Sequence, residues 1–190
     1  MKLRSIVWLF ALAPGLISTA RAADTYQIDS VHSCVVFRVK HMAVGYSVGR
    51  FNDTAGTVVV DEQNMAATTM NIQIKVDSID TANAMRDKHL KGPDFFDVEK
   101  FPTASFVSKS VKPVKEQTYE VTGDLTIHGV TRPVTLMMDR VGAGKDPKGM
   151  MRTGFEGSIT IKRSEFGMKN MLPGIGDDVW LLIGFEAVKQ

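Results

Sequence analysis

An all-β chain, a sandwich or a barrel carrying one short helix, is what this sequence predicts, on three observations. Eight or nine stretches alternate apolar and polar residues with period two, the pattern of half-buried strands. Turn chemistry separates them at the regular spacing of all-β folds. The segment Gly123–Leu136, GDLTIHGVTRPVTL, writes a hairpin outright: Leu125 and Ile127 alternate with Asp124, Thr126 and His128, His128-Gly129 breaks the run, and alternation resumes through Val134, Leu136 and Met138.

The elements follow in chain order. Lys2 and Arg4 precede an apolar run, Ile6 to Ile17, that ends in Ala20-Arg21-Ala22, the charged start, short greasy middle and small-x-small end of a secretory signal peptide. Pro14-Gly15 interrupts the run, which is short of the roughly 20 residues a membrane span needs. Residues 1–22 are therefore expected to be a cleaved leader, and residues 23–190 one exported domain. Strands are expected at Thr25–Asp29, Cys34–Lys40, Phe51–Val60 and Thr68–Val76. In the last of these, Met70, Ile72, Ile74 and Val76 oppose Asn71, Gln73 and Lys75. Asp80 or Thr81 can then cap a helix over Ala82–Lys91, stopped by Gly92-Pro93. Its apolar stripe is weak, and Phe95-Phe96 supplies what it lacks. Together they predict a lid over one end of the sheet or a connector along its wall. Further strands follow at Ala104–Val111, Tyr119–His128, Val134–Asp139, Phe155–Lys162 and Val179–Val188, with Gly142–Gly149 as a polar loop. Val179-Trp180-Leu181-Leu182-Ile183 is apolar on both faces, which predicts cover for the outer face, a homodimer through the last strand being the preferred account.

Composition excludes several classes of function. The chain has 23 basic and 21 acidic residues. Without Lys2, Arg4 and Arg21 the count becomes 20 against 21, a net charge of −1, with no basic block for nucleic acid. One cysteine, Cys34, permits no internal disulfide, so a packed core must supply stability.

Five pieces in order, YQIDSVHSCVVFRVKH (Tyr26–His41), VGRF with GTVVVD (Val48–Phe51, Gly56–Asp61), RDKHLKGPDFFDVEKFPTASF (Arg86–Phe106), GDLTIHGVTRPV and KRSEFGM (Lys162–Met168), resemble the YceI-like family. The resemblance covers Tyr26–Lys189. It implies an extended eight-stranded antiparallel barrel, similar to lipocalins, that holds a polyisoprenoid lipid such as an isoprenoid quinone or prenyl phosphate. It also implies periplasmic residence, no catalytic residues and no cofactor besides the bound amphiphile. Transport or storage is the implied task; transient membrane contact is a separate expectation, which the resemblance does not itself imply. Respiration, envelope synthesis and stress protection all stay open as the process served.

The candidate wall residues are Phe37, Val39, Met70, Ile72, Ile74, Phe106, Leu125, Ile127, Phe155 and Ile159, with Phe95 and Phe96 near the mouth and His41 toward a head group. Alternation alone leaves a solid core and a lined tunnel both open; the resemblance favours the tunnel. Eleven methionines suit an adaptable lining and ordinary gap-filling alike. Four histidines (His32, His41, His89, His128) show no metal-binding spacing, and His32 with Cys34 supplies only two of the three or four ligands a closed site wants, so no metal is expected. Arg86 with His89, or His41 with Lys40, can meet a quinone oxygen or phosphate. Arg163 can brace its turn through a carboxylate or meet an anionic head group, bracing being the preferred reading. Two rival readings remain: an enzyme acting on a lipid head group through His and Asp residues between Arg86 and Asp97, and an integral outer-membrane barrel. The central helix and the broken outward-facing apolar bands speak against the latter.

Overall fold

The computed structural model describes residues 23–190; the expected leader at 1–22 lies outside them. Ten strands and one α-helix follow in order: β1 (Asp24–His41), β2 (Gly45–Phe51), β3 (Thr54–Val60), β4 (Thr69–Lys75), β5 (Ile79–Asp80), α1 (Ala84–Lys91), β6 (Thr103–Lys115), β7 (Thr118–Ile127), β8 (Val130–Lys145), β9 (Met151–Lys162) and β10 (Ile175–Lys189). β2 and β3 run on from one another along β1, pairing Val35–His41 and Asp24–Gln27 in turn. β4 and β5 continue each other in the same way along β3 and β2. The ten segments thus make eight antiparallel staves, each beside its neighbours in sequence. The last closes onto the first through a ladder from Tyr26–Lys189 to His41–Ile175. Closure removes the sandwich alternative and leaves no free sheet edge around the cylinder.

Strand alternation decides what faces inward. In β7, Tyr119, Val121, Gly123, Leu125 and Ile127 are all buried, while the residues between them are half-buried. The outer wall carries polar cross-strand pairs such as Thr122–Thr135, Thr126–Thr131 and Lys109–Asp124, so no continuous apolar belt rings the cylinder. The two faces of the doubly apolar β10 differ in cover, and its outward Trp180 and Leu182 stay half-buried. Val179, Leu181 and Ile183 point inward, and outside, Arg38 lies 5.3 Å from the Trp180 ring. Both edges of β10 are already paired, so a second copy can meet only its outer face.

Four expectations need correction. Thr25–Asp29 and Cys34–Lys40 are one strand, bent by an irregularity between Asp29 and Cys34. The strand expected at Phe51–Val60 starts earlier, at Gly45, with a break at Asn52-Asp53. Gly142–Gly149 is not all loop: the ladder runs on to Lys145, because glycine can extend a strand when a neighbour supplies the hydrogen bonds. The helix cap is Asn83, whose side chain accepts from the Arg86 amide at 3.0 Å; Asp80 and Thr81 are engaged with Ala82 and Asp87 instead. The hairpin at His128-Gly129 stands as read, with both residues at positive φ (51° and 72°) and Ile127 opposite Val130.

Side chains seal one end of the barrel. Tyr26, Val58, Met70, Val121, Phe155 and Phe185 pack there, and the buried Arg140 donates to Glu62 at 2.8 Å and to Thr153 at 3.1 Å. At the same end Arg152 bridges Asp29 (2.7 Å), Asp146 (3.1 Å) and Glu186 (3.2 Å), tying β1, β9 and β10 to the β8–β9 turn. Hydrogen bonds from Arg152, then from His32, hold the Asp29 carboxyl down at about 2. A carboxyl lowered on folding stabilises above its unfolded pKa of roughly 3.9, and that contribution is lost as pH falls through its folded value. Urea titrations between pH 5 and pH 2 should therefore show a loss of up to about 1 kcal/mol, after allowance for solvent screening, that Asp29→Asn lacks.

Candidate functional site

The other half of the cylinder is hollow. A cavity of about 620 Å³ opens at the end where α1 lies and stops at the packed plug, within the roughly 300–1,000 Å³ of small-molecule sites. Its depth is apolar. Val35, Phe37, Phe51, Leu125 and Ile161 form the wall, and Ile72, Phe106, Leu136, Met138 and Ile183 form the floor. Every polar side chain of the lining belongs to the mouth: His41 and Ser47 at the β1–β2 end, Thr81, Asn83, Arg86 and His89 on and before α1, and Arg163 after β9.

α1 and the segment behind it cover part of this mouth. No residue of the helix is buried, consistent with its weak stripe. It is held by Arg86, whose Nε donates to the Thr81 hydroxyl at 2.8 Å and whose Nη2 donates to the Thr81 carbonyl at 2.6 Å. Phe96 inserts edge-on against Phe51 with ring centroids 5.5 Å apart, and Phe95 meets His89 edge-on at 5.0 Å. The helix and its two phenylalanines thus form a lid. The carboxylates around it are tied down: Asp87 accepts from Thr81, Asp94 lies 3.4 Å from His89, and Asp97 pairs with Lys100.

Opposite the lid, Arg163 is 5% exposed and donates to four backbone carbonyls, those of Gly176, Met168, Asn170 and Ile175, each at 2.9 Å. Burial lowers its pKa, with the Asp177 charge opposing. The expected carboxylate partner is absent. Asp177 instead accepts from the Ser164 amide and hydroxyl, and the guanidinium braces the turn Met168–Ile175 through carbonyls, whose polarity the sequence does not reveal.

Of the residues singled out in the sequence, Phe37, Val39, His41, Ile72, Ile74, Phe95, Phe96, Phe106, Leu125, Ile127 and Ile159 line the cavity. Met70 and Phe155 do not. They face inward as alternation requires, but at 2% and 1% exposure they belong to the plug. Alternation tells inside from outside and carries no information about depth along the axis. Missed lining residues include Ala104, Ser47 and Thr81. Ala104 shares the inward face of Phe106, the clue that would have found it. Lys40 points away from the cavity that His41 lines, and His32 sits at the sealed end on Asp29.

Comparison with known proteins supplies the lineage. A YceI-like domain model matches residues 26–187. The chain belongs to the YceI-like family. Curated YceI-like relatives include a UPF0312 protein of Pseudomonas aeruginosa, 40% identical over 99% of this chain and all of its own length, and Protein YceI of Escherichia coli O157:H7, 43% identical over 90% of each. Among solved structures, Burkholderia cenocepacia BcnA matches with a TM-score of 0.75 and 29% identity, over 84% of this chain and 99% of its own. A polyisoprenoid binding domain from Saccharophagus degradans shares the fold at a TM-score of 0.65 and 14% identity, over 87% of this chain and 98% of its own. The YceI-like barrel with one helix, expected from the sequence pieces, is the fold observed.

Proposed function

We propose that this protein binds a single-tailed amphiphile, an isoprenoid quinone or a prenyl phosphate, and carries or stores it in the periplasm without transforming it. The carrying observation is the polarity gradient of one cavity: hydrocarbon walls in depth, and histidine, arginine, threonine and asparagine at the entrance. Such a site takes a tail inward and leaves a head group outward. A buried five-carbon prenyl unit contributes roughly 2–4 kcal/mol before ordering costs, so the walls supply affinity and the mouth supplies selectivity. The polyisoprenoid binding domain of the same fold supports this class of ligand.

A binding role fits the titratable groups better than catalysis. Asp29, Asp146 and Arg152, whose pKa values are shifted by mutual hydrogen bonds, sit at the sealed end. Arg163, which lines the cavity, spends its donors on backbone acceptors. Mass spectrometry of lipid extracted from natively purified protein tests the reading. A prenyl quinone or prenyl phosphate is expected at near-stoichiometric yield. Preparations that carry no amphiphile and bind none when it is added overturn it.

A further inference from the structure

Two turns at the open end break the rules of turn chemistry together. The turn after β1 closes through the Val44 amide on the His41 carbonyl at 3.0 Å, and its central residues, Met42 and Ala43, hold φ of 48° and 55°. Asn and Gly predominate in that left-handed geometry because other side chains strain there. Neither burial nor turn preference explains the choice, since Met42 is 63% exposed and Val44 88% exposed. The turn before β10 repeats the anomaly: Met171 has φ 57°, and Met171 and Leu172 are both exposed. The Met42 amide donates to the Gly174 carbonyl at 2.6 Å, so the two tips form one apolar rim beside the cavity mouth. Departures from local rules without packing gain are where function is expected.

The surroundings specify the partner. Residues 40–46 and 168–174 carry Lys40, His41 and Lys169 and no carboxylate, in a domain that is otherwise near neutral. Just below the tips, on the outer wall, Arg38 lies between Tyr46 and Trp180, at 4.6 Å and 5.3 Å from their ring centres. Asp177 and Asp178 of β10 follow beside Lys40, where Asp177 is taken up by Ser164 and Asp178 by Lys162. Exposed aliphatic tips, an aromatic pair one step back and flanking lysines are the layering of a surface that enters a lipid interface.

We propose that this rim docks the barrel mouth onto an anionic bilayer, inserting Met42, Val44 and Leu172 between head groups while Lys40 and Lys169 meet lipid phosphates. The proposal rests on the lipid-cavity reading for its purpose: docking would let a tail pass from bilayer to barrel without crossing water. Sedimentation with phosphatidylglycerol vesicles reads the rim, and calorimetric titration with a short-chain prenyl quinone in vesicle-free buffer reads the cavity. The protein is expected to sediment with phosphatidylglycerol vesicles and less with phosphatidylcholine vesicles. Met42→Asp/Val44→Asp and Lys40→Glu/Lys169→Glu should each weaken that binding about tenfold or more, whereas Val114→Asp at the sealed end should leave it unchanged. All three variants should bind the quinone as the parent does. Vesicle binding that persists where quinone affinity is absent supports the rim and removes the cavity reading. The rim proposal is overturned if the parent does not sediment, if Val114→Asp weakens binding equally, or if the parent is a dimer that Met42→Asp/Val44→Asp dissociates, which would make a second copy the occupant.

Discussion

Ala104→Trp is expected to lower affinity for a long-chain prenyl quinone by about 30- to 700-fold, the equivalent of displacing one prenyl unit worth roughly 2–4 kcal/mol. Ala104 faces the cavity from β6 opposite Ile74, and an indole there occupies space the tail would use. The fold should tolerate it, because the added volume enters a void instead of a packed core. Phe106, two residues on and on the same face, predicts the opposite result. Its ring lies over Gly123, where an added Cβ would stand 2.6 Å from it, and forms part of the floor. Phe106→Ala deepens the cavity toward Met70 and Phe155, so the preferred tail should lengthen while stability falls by about 3 kcal/mol. Competition between quinones of different chain length, read by mass spectrometry, checks both. Unchanged chain-length preference in Phe106→Ala would show that this floor does not set tail length.

Arg163→Met should produce the second large effect, a loss of about 3–5 kcal/mol measured by urea unfolding. The substitution keeps much of the apolar stem but leaves the carbonyls of Met168, Asn170, Ile175 and Gly176 without their shared donor at the cavity edge. Arg163→Lys should recover only part of the loss, since one ammonium cannot reach four acceptors set out for a planar fork. Because the braced turn forms one side of the mouth, quinone binding should weaken in both variants. A loss below about 1 kcal/mol in Arg163→Met would mean water replaces the guanidinium at little cost.

The contrast between Phe106 and Phe155 shows where the sequence is legible. Both sit at inward positions of strands with the same alternation, and period two identifies the face in each case. Whether a ring lines a void or fills a plug depends on the height at which eight staves meet, and that is set by ladder register between segments far apart in the chain. Trp180 illustrates a second limit. Its apolarity signals an outward face open to a partner, whereas the Arg38 beside it is set there by ladder pairing between the two ends of the chain, which no local pattern shows. The hairpin at His128-Gly129 was fully readable because its information is local: two turn residues and the alternation flanking them. The lid was half-readable. Gly92-Pro93 fixes its end, whereas choosing Asn83 as cap required knowing that Thr81 is occupied by Asp87 and Arg86.

The plug of Tyr26, Met70, Phe155 and their neighbours makes this cylinder a cup and not a pipe. Whatever enters must back out past the same threshold, so the molecule has no built-in arrow. Net flow would follow the difference in the occupant's chemical potential between source and sink, and a cell that needs one-way delivery must keep one of them depleted.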